Sequence, residues 1–510
     1  MRITVRTACI VIVATVVAAS VALDANAQPR HRARLSRDLA DRLQRRVEAS
    51  TDVIVSGADA TIDQLAARYG ARVKKRLQNG GAVLEATGGQ LDALAQDPDV
   101  DHLSGNPVVH RMMAVTTEAT GADQVWAGLP GLRGVDGRGV TVAVIDSGVT
   151  ASGALRDRVI VTKDFTDGRG PGRDEFGHGT HVAGIIAESD RDGYSGMAPG
   201  AWIASLRVLG ADGSGTTDAV IDAIDWAVQN RRRYNIRIIN LSLGHPVFES
   251  YLDDPLCQAA QRAVDAGILV VAAAGNFGKT ADGRPIIAGI VAPGNTPSVL
   301  TVGAINTRGT PQRSDDVMAT YSSRGPTLID GVLKPELVAP GNRIVAASAP
   351  GSYLSVTYPE HVVTGRTGAP YLELSGTSMS TAVVSGAAAL VLAARPDLTP
   401  AQVKALLQVT SSRVAGAGLI EAGAGSLNVA AAVKLAGGGS LASATLQIAG
   451  EPFRPSRIVF LSSATTPGTD ASDPMWRYVV NLLRSCTIVW SDTIVWSDTI
   501  VWSDTIVWSD

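Results

Sequence analysis

Residues 202–244 read WIASLRVLGADGSGTTDAVIDAIDWAVQNRRRYNIRIINLSLG. WIASLRVL is an apolar strand run, TDAVIDAIDWAVQN has helical spacing, and IRIINLSL is apolar again. The alternation continues on both sides, with VTVAVID and HVAGIIAE before it and ILVVAAAGN after it. Strands that are near-continuous Val, Ile and Leu are buried on both faces. Residues 120–436 are therefore expected to form a parallel α/β sheet covered by helices on both faces. Composition permits this. Of 510 residues, 45% are hydrophobic and 18% charged, enough for a large core. The 53 glycines and 5% aromatics suit close helix–sheet packing. A net charge of -3 implies no general affinity for nucleic acid. Three cysteines exclude a disulfide-rich scaffold. Cys9 lies in the leader; Cys257 and Cys486, far apart in sequence, read as free thiols, although they could pair.

Polar groups gather at strand ends, where open α/β sheets place their sites. VAVIDSG (142–148) carries Asp146 just past a buried strand, a position that also suits a plain turn cap. GHGTHVAGIIAE (177–188) carries His178 and His181 at a helix start. SGTSMSTAVVSGAAALVL (375–392) opens a long small-residue helix at Ser378, and Gly376 and Gly386 allow close backbone approach. Together these supply a carboxylate, an imidazole and a hydroxyl in the chain order Asp, His, Ser. A serine hydroxyl is a weak nucleophile until an imidazole takes its proton, and a carboxylate fixes the tautomer of that imidazole. ILVVAAAGN (268–276) ends in Asn276, whose amide can donate to an oxyanion beside the Ser378 N–H.

At these residues the chain resembles the subtilisin-like serine proteases, the subtilases. The matching segments are VAVIDSGV, HGTHVAG, AAAGN and SGTSMS, with YSSRGP (321–326), KPELVAPG (334–341) and GADGSG (210–215). The resemblance implies a serine endopeptidase with Asp146, His178 and Ser378 as triad and Asn276 as oxyanion donor. It further implies that Gly213, Ser214 and Gly215 and then Ser242, Leu243 and Gly244 flank a bound peptide like added strands. Protein or peptide substrates are the implied partners. The chemistry requires no cofactor, while the family allows structural calcium. Asp190 and Asp192 offer hard oxygen ligands for it and read equally as a solvated turn. Two positions depart from the pattern: Ala382 stands where Pro is usual, and Val383 where many members have His. Residues 351–374 are longer than the core pattern needs and suggest a surface hairpin or loop near the nucleophile.

The remaining segments frame this body. Residues 1–27 read as a secretory signal, with Arg2 and Arg6, an apolar run and an Ala25-Asn26-Ala27 cleavage site. Secretion is thus expected, with no membrane span after signal removal, since no later segment reads as long and apolar enough to span. Residues 28–115 are the expected propeptide. Leu35, Leu39, Leu43 and Val47 suggest a short amphipathic helix in it. Residues 51–112 follow a βαββαβ order, a ferredoxin-like α+β prosegment that resembles the family's inhibitory propeptide. Cleavage is expected between about His110 and Glu118, leaving a peptidase domain over 116–436. Residues 437–486 form an extension, and 487–510 are four identical copies of TIVWSD. An even period favours a strand, since each copy then presents the same faces; the alternative is a disordered tail, since so short a segment buries little by itself, and in either form the tail is expected to serve attachment, secretion or assembly and not catalysis.

Three rival readings fail on the sequence. His178 and His181 as a zinc pair need further ligands. GVDGRG (134–139) precedes a strand and so fails the dinucleotide-binding pattern. A lipase or esterase needs a G-x-S-x-G elbow and the order Ser, Asp, His. A non-catalytic member of the fold is expected to lack one of the four site residues.

Overall fold

The computed structural model describes residues 32–77, 80–106, 112–166, 173–189, 194–438, 447–452, 454–461 and 487–490. The leader, Asp190, Asp192, Cys486 and the tail from Ser491 onward lie outside them. The chain divides into two compact units, Met1–Val109 and His110–Asp510.

The first unit holds strands β1 (Arg34–Leu35), β2 (Thr51–Val55), β3 (Arg72–Arg76), β4 (Ala82–Ala86) and β5 (His102–Gly105). Helices Asp59–Tyr69 and Gly88–Ala95 lie between them in sequence. The sheet order is β1-β5-β2-β4-β3, antiparallel except for β1 on β5. Ile62 and Leu65 of one helix and Leu91 and Leu94 of the other pack on Val53, Leu84 and Leu103. Thr87 and Gln90 cap the second helix reciprocally. The expected helix through Leu35 and Val47 is shorter, Arg37–Gln44. Leu35 instead pairs along β5 beside Leu103, because a ladder position buries its backbone groups in hydrogen bonds.

The second unit is built on β6 (Thr141–Asp146), β7 (Val159–Asp164), β8 (Trp202–Arg207), β9 (Ile236–Leu241), β10 (Leu269–Ala273), β11 (Leu300–Asn306), β12 (Val317–Met318) and β13 (Leu337–Pro340). Their order is β7-β8-β6-β9-β10-β11, with β13 beyond β11; all run parallel except the short β12. Successive side chains of a strand point to opposite faces. Val142 and Val144 of β6, and Leu269 and Val271 of β10, therefore join one core, with helices His178–Ala187 and Thr377–Ala394. Ala143 and Ile145, and Val270 and Ala272, join the other, with helices Thr217–Tyr234 and Pro255–Asp265. This is the expected sheet with helices on both faces.

Helix Thr377–Ala394 is long and apolar enough to pass for a membrane span, contrary to the expectation that no later segment is, but it is 83% buried as the core helix. It runs unbroken through Ala382 and Val383, both buried. Gly386 lets it approach closely: a Cβ there would meet Met197 Cβ at 2.5 Å and the Ile186 carbonyl at 3.3 Å. Before it come β14 (Ile344–Ala347) and, within the long segment 351–374, β15 (Val362–Thr364) and β16 (Pro370–Leu374), an antiparallel set in order β14-β16-β15. The expected hairpin is thus β15–β16, leading straight into Ser378. Helix Met112–Thr120 belongs to this unit, with Met113 and Val115 buried. The expected boundary at 115/116 falls inside it.

In the extension, β17 (Gln447–Ile448) and β18 (Glu451–Pro452) form a small hairpin. β19 (Ile458–Leu461) then pairs in parallel with β20 (Thr487–Trp490), the start of the first TIVWSD copy.

Candidate active site

Asp146 ends β6, at the point where the strand order turns: β8 and β7 lie to one side, β9 and β10 to the other. Such a switch point opens a crevice at the strand carboxyl ends. Ser242 follows β9 and Asn276 follows β10 on the same rim.

Asp146 is fully buried. His178 Nδ1 lies 2.8 Å from its Oδ1 and 3.0 Å from its Oδ2. The Ser147 N–H donates to Oδ1 at 2.8 Å. Burial alone lowers the His178 pKa; the Asp146 charge and hydrogen bond, with the Asp174 charge, outweigh it and raise the pKa above the ordinary value. This pairing leaves Nδ1 protonated and Nε2 facing out.

The N-terminus of helix His178–Ala187 is held by a residue that sequence reasoning missed. Asp174 is buried and accepts four hydrogen bonds. Its Oδ1 takes the Ser147 hydroxyl at 2.8 Å and the Gly177 N–H at 2.7 Å. Its Oδ2 takes the Thr180 N–H at 2.8 Å and the Thr180 hydroxyl at 2.6 Å. The Ser147 hydroxyl oxygen accepts from the Gly179 N–H at 2.9 Å. Desolvation still pushes the Asp174 pKa up against these bonds. The available signal was an Asp four residues before the histidine, in DEFGH (174–178). His181 sits one turn further on, fully buried. Its Nε2 lies 2.9 Å from the Leu372 carbonyl and 3.1 Å from the Ile344 carbonyl. Burial, then the neighbouring His178, pushes its pKa down to about 4, so it is a neutral packing residue. Among the described residues no group of three or more His, Cys, Asp or Glu gathers to hold a metal.

Ser378 is the second residue of its helix and partly exposed. Its hydroxyl donates to the Ser242 carbonyl at 3.1 Å, and the Ser242 hydroxyl donates to the Ser378 carbonyl at 2.9 Å. Asn240 and Ser385 extend this brace between β9 and the helix, each link 2.9 Å. In this conformer the serine is turned toward Ser242, so the structure forms the His–Asp contact and leaves the Ser–His contact open.

Asn276 is held by its carbonyl oxygen, which accepts from the Thr377 N–H at 3.0 Å and the Thr377 hydroxyl at 3.1 Å. That orientation frees Nδ2 to face the space over Gly376. A Cβ built on Gly376 would lie 3.5 Å from Asn276 Nδ2 and 3.7 Å from Ser378 N. Two donors therefore converge on a volume that only glycine leaves empty.

The two expected peptide-flanking segments line one cleft of about 410 Å³. Gly213, Ser214 and Gly215 form part of its wall and Ser242, Leu243 and Gly244 another, with Phe176 and His178 beside them. Gly213 has φ +78°, and a Cβ there would strike the Phe176 ring at 2.5 Å. Both segments are glycine-bearing because the backbone itself forms the walls.

The comparisons with known proteins give the family. The subtilase family matches residues 137–435. Serine protease AprX of Bacillus subtilis (strain 168) is 37% identical over 315 residues, 59% of this chain and 67% of its own length. Subtilisin DY of Bacillus licheniformis is 34% identical over 314 residues, 61% of this chain and 96% of its own length. Among solved structures, fervidolysin from Fervidobacterium pennivorans superposes with TM-score 0.50 at 23% identity, over 79% of this chain and 63% of that one, a likeness of fold. With the matched segment spanning more than half its length, this chain belongs to the subtilase family of serine-type endopeptidases.

Proposed function

We propose that this chain is a secreted endopeptidase that cuts peptide bonds with Ser378, His178, Asp146 and Asn276, and that it is made as a self-processed zymogen. The observation that carries the reading is the convergence on one crevice of a carboxylate-oriented imidazole, a helix-start hydroxyl and two oxyanion donors. The Ser378 hydroxyl rotates from Ser242 to His178 Nε2 and gives up its proton as Oγ attacks the scissile carbonyl. Asp146 stabilises the imidazolium and holds its tautomer. The oxygen of the tetrahedral intermediate enters the space over Gly376, between Asn276 Nδ2 and the Ser378 N–H. The imidazolium then protonates the leaving amine, and water repeats the sequence on the acyl-enzyme. Substrate lies extended between Gly213–Gly215 and Ser242–Gly244, read mainly through its main chain. No metal or cofactor enters these steps.

The unit ending at Val109 is proposed as the chain's own inhibitor, supported by its place directly before the body and its βαββαβ order. The self-processing cut is assigned to the amino-terminal end of the expected window, before Met112. A scissile segment must lie extended, and Met113 and Val115 are buried in a helix. The leader supports secretion.

The test is incubation of purified chain and its Ser378→Ala variant with a peptide library and with their own precursors. Wild type is expected to cleave the library and to acquire a new N-terminus before Met112. Ser378→Ala is expected to do neither. A variant that cleaves at the wild-type rate, or matures alone in pure form, defeats the assignment.

A further inference from the structure

Residues 351–374 exceed what the α/β sheet needs, and the fold fastens them to both the His178 and the Ser378 segments. At one end, helix Tyr353–Thr357 is tied to the residues before His178. The Tyr353 N–H donates to the Glu175 carbonyl at 2.8 Å, and the Leu354 N–H to the Phe176 carbonyl at 3.0 Å. The Tyr353 ring stacks on Phe176 with centroids 5.8 Å apart, and the Phe176 ring is 6.5 Å from that of His178. Gly177 permits this seat, since a Cβ there would strike the Ser352 hydroxyl at 2.5 Å. At the other end, β16 stops at Leu374 and leads through Ser375 and Gly376 to Ser378.

Between this insertion and β16 lies a second cleft, of about 550 Å³. Glu373, Leu374 and Ser375 line one side of it, and Leu354, Tyr358 and His361 the other. It shares no residue with the cleft between Gly213–Gly215 and Ser242–Gly244. Phe176 stands between the two. It lines the first cleft, while Tyr353, the neighbour of Leu354, covers its ring. The second cleft is apolar at Leu354, Tyr358 and Leu374. The one carboxylate in its wall is neutralised, because Glu373 Oε1 accepts from Arg343 Nε at 2.9 Å. Tyr353, Val356 and Tyr358 stand exposed around it, and clustered exposed apolar groups mark contact surfaces.

A substrate cut by Ser378 has two halves. The acyl half lies in the first cleft. The leaving half continues past His178, which protonates its amine, and an extended chain does not turn back at the scissile bond. It therefore passes toward the insertion. We propose that residues 351–374 build a subsite for the leaving half of the substrate, which takes a large apolar side chain between Leu354 and Tyr358 on one side and Leu374 on the other. This rests on the peptidase reading above and adds a side-chain preference to a substrate otherwise held through its main chain. Binding energy from such a residue, remote from the reacting bond, is available to the transition state.

The experiment gives the mature wild-type enzyme two kinds of substrate with the same acyl half. One is a peptide p-nitroanilide, whose leaving group carries no residue. The other is a set of quenched fluorescent peptides, varied at each of the three positions after the scissile bond. At one of those positions Phe or Leu is expected to exceed Ala and Asp in kcat/KM by roughly tenfold or more, the scale for seating one apolar side chain. Leu354→Ser is expected to remove most of that preference and leave anilide hydrolysis unchanged. Tyr358→Asp is expected to redirect the preference toward Lys and Arg, a gain that a misfolded protein cannot show. A wild type that cleaves both kinds of substrate without a leaving-side preference overturns this proposal alone. One that cleaves neither overturns the peptidase reading and this proposal with it. An apolar preference that survives both variants places the subsite elsewhere and overturns it. So does an equal loss on the anilide and the peptides, which puts the damage in the His178 and Ser378 segments.

Discussion

Two buried polar clusters in the body are built on opposite plans. Around Asp174 one carboxylate accepts only neutral donors, from Ser147, Gly177 and Thr180. Around Glu336 the carboxylate is met by cations. Its Oε1 accepts from Lys334 Nζ at 2.6 Å and Lys404 Nζ at 2.7 Å, and its Oε2 from the Thr301 N–H at 2.7 Å. The two ammonium groups also donate to the Val299 carbonyl, at 2.8 and 3.0 Å. The second cluster neutralises its anion on the spot and ties β13 and helix Pro400–Val409 to the turn before β11. The first leaves its negative charge without a cation among its hydrogen-bond partners, and its field reaches His178. A buried charge that must act on a neighbour is held by dipoles; one that only braces is held by counter-charges.

The sharpest break in the first cluster is Asp146→Asn. It keeps the shape and removes the charge that orients His178 and favours its protonated form. The expected loss in kcat is about 10⁴, the scale for this change in a Ser-His-Asp triad, with little change in fold. Because the Asp146 charge holds the His178 pKa up, the acid limb of kcat/KM also moves to lower pH in the variant. A variant within tenfold of wild type would remove Asp146 from the mechanism.

The second cluster breaks differently. Glu336→Gln leaves the buried Lys404 ammonium, and below about pH 7 that of Lys334 as well, without its counter-charge, which costs about 3–5 kcal/mol for a buried pair that loses one partner. Activity per folded molecule is expected to stay near wild type, since none of these residues lines the cleft. The cluster also predicts a pH dependence. Burial, helped by Lys404 and opposed by Glu336, pushes the Lys334 pKa down to about 7, against roughly 10.4 in an unfolded chain. Between those values the unfolded state binds more protons, so stability rises with pH across that window and levels off above it. Urea unfolding of the Ser378→Ala protein at pH 7 and pH 9 reads this directly. Flat stability would show that Lys334 keeps its proton.

The contrast also separates what was legible in the sequence from what was not. The sheet and its two covers followed from apolar strand runs, since β6 sends Val144 to one core and Ile145 to the other. The positions of Asp146, His178, Ser378 and Asn276 around one crevice were legible because each stands at a strand end or helix start in a distinctive segment. Asp174 was not, because its partners Ser147 and Thr180 come from two other places in the chain, and one acid in a loop has no periodicity to betray it. Lys334 and Lys404 were still less visible. Charged residues read as solvent-facing until tertiary packing closes around them. The even repeat pointed to a strand at 487–490, while its pairing with β19 was not legible, since the two segments are far apart in sequence and no local pattern links them.

The smallest effect belongs to Asp174→Asn, and it tests the comparison most finely. All four partners of this carboxylate are donors. An asparagine must set its NH₂ against either the Ser147 hydroxyl and Gly177 N–H or the Thr180 hydroxyl and N–H. The hydroxyls can rotate away; the backbone N–H cannot, so either orientation strands one buried donor, at about 1–3 kcal/mol. Part of that is returned, because burial raises the Asp174 pKa and the variant no longer has to desolvate a charge. The melting temperature should therefore fall by only a few degrees. Asp174 is also the weakest of the influences raising the His178 pKa. The acid limb of kcat/KM should move to lower pH, in the same direction as Asp146→Asn but by less. If the limb stays in place while the protein loses stability, Asp174 is a helix brace alone, of the same kind as Glu336, and the distinction between the two clusters is lost.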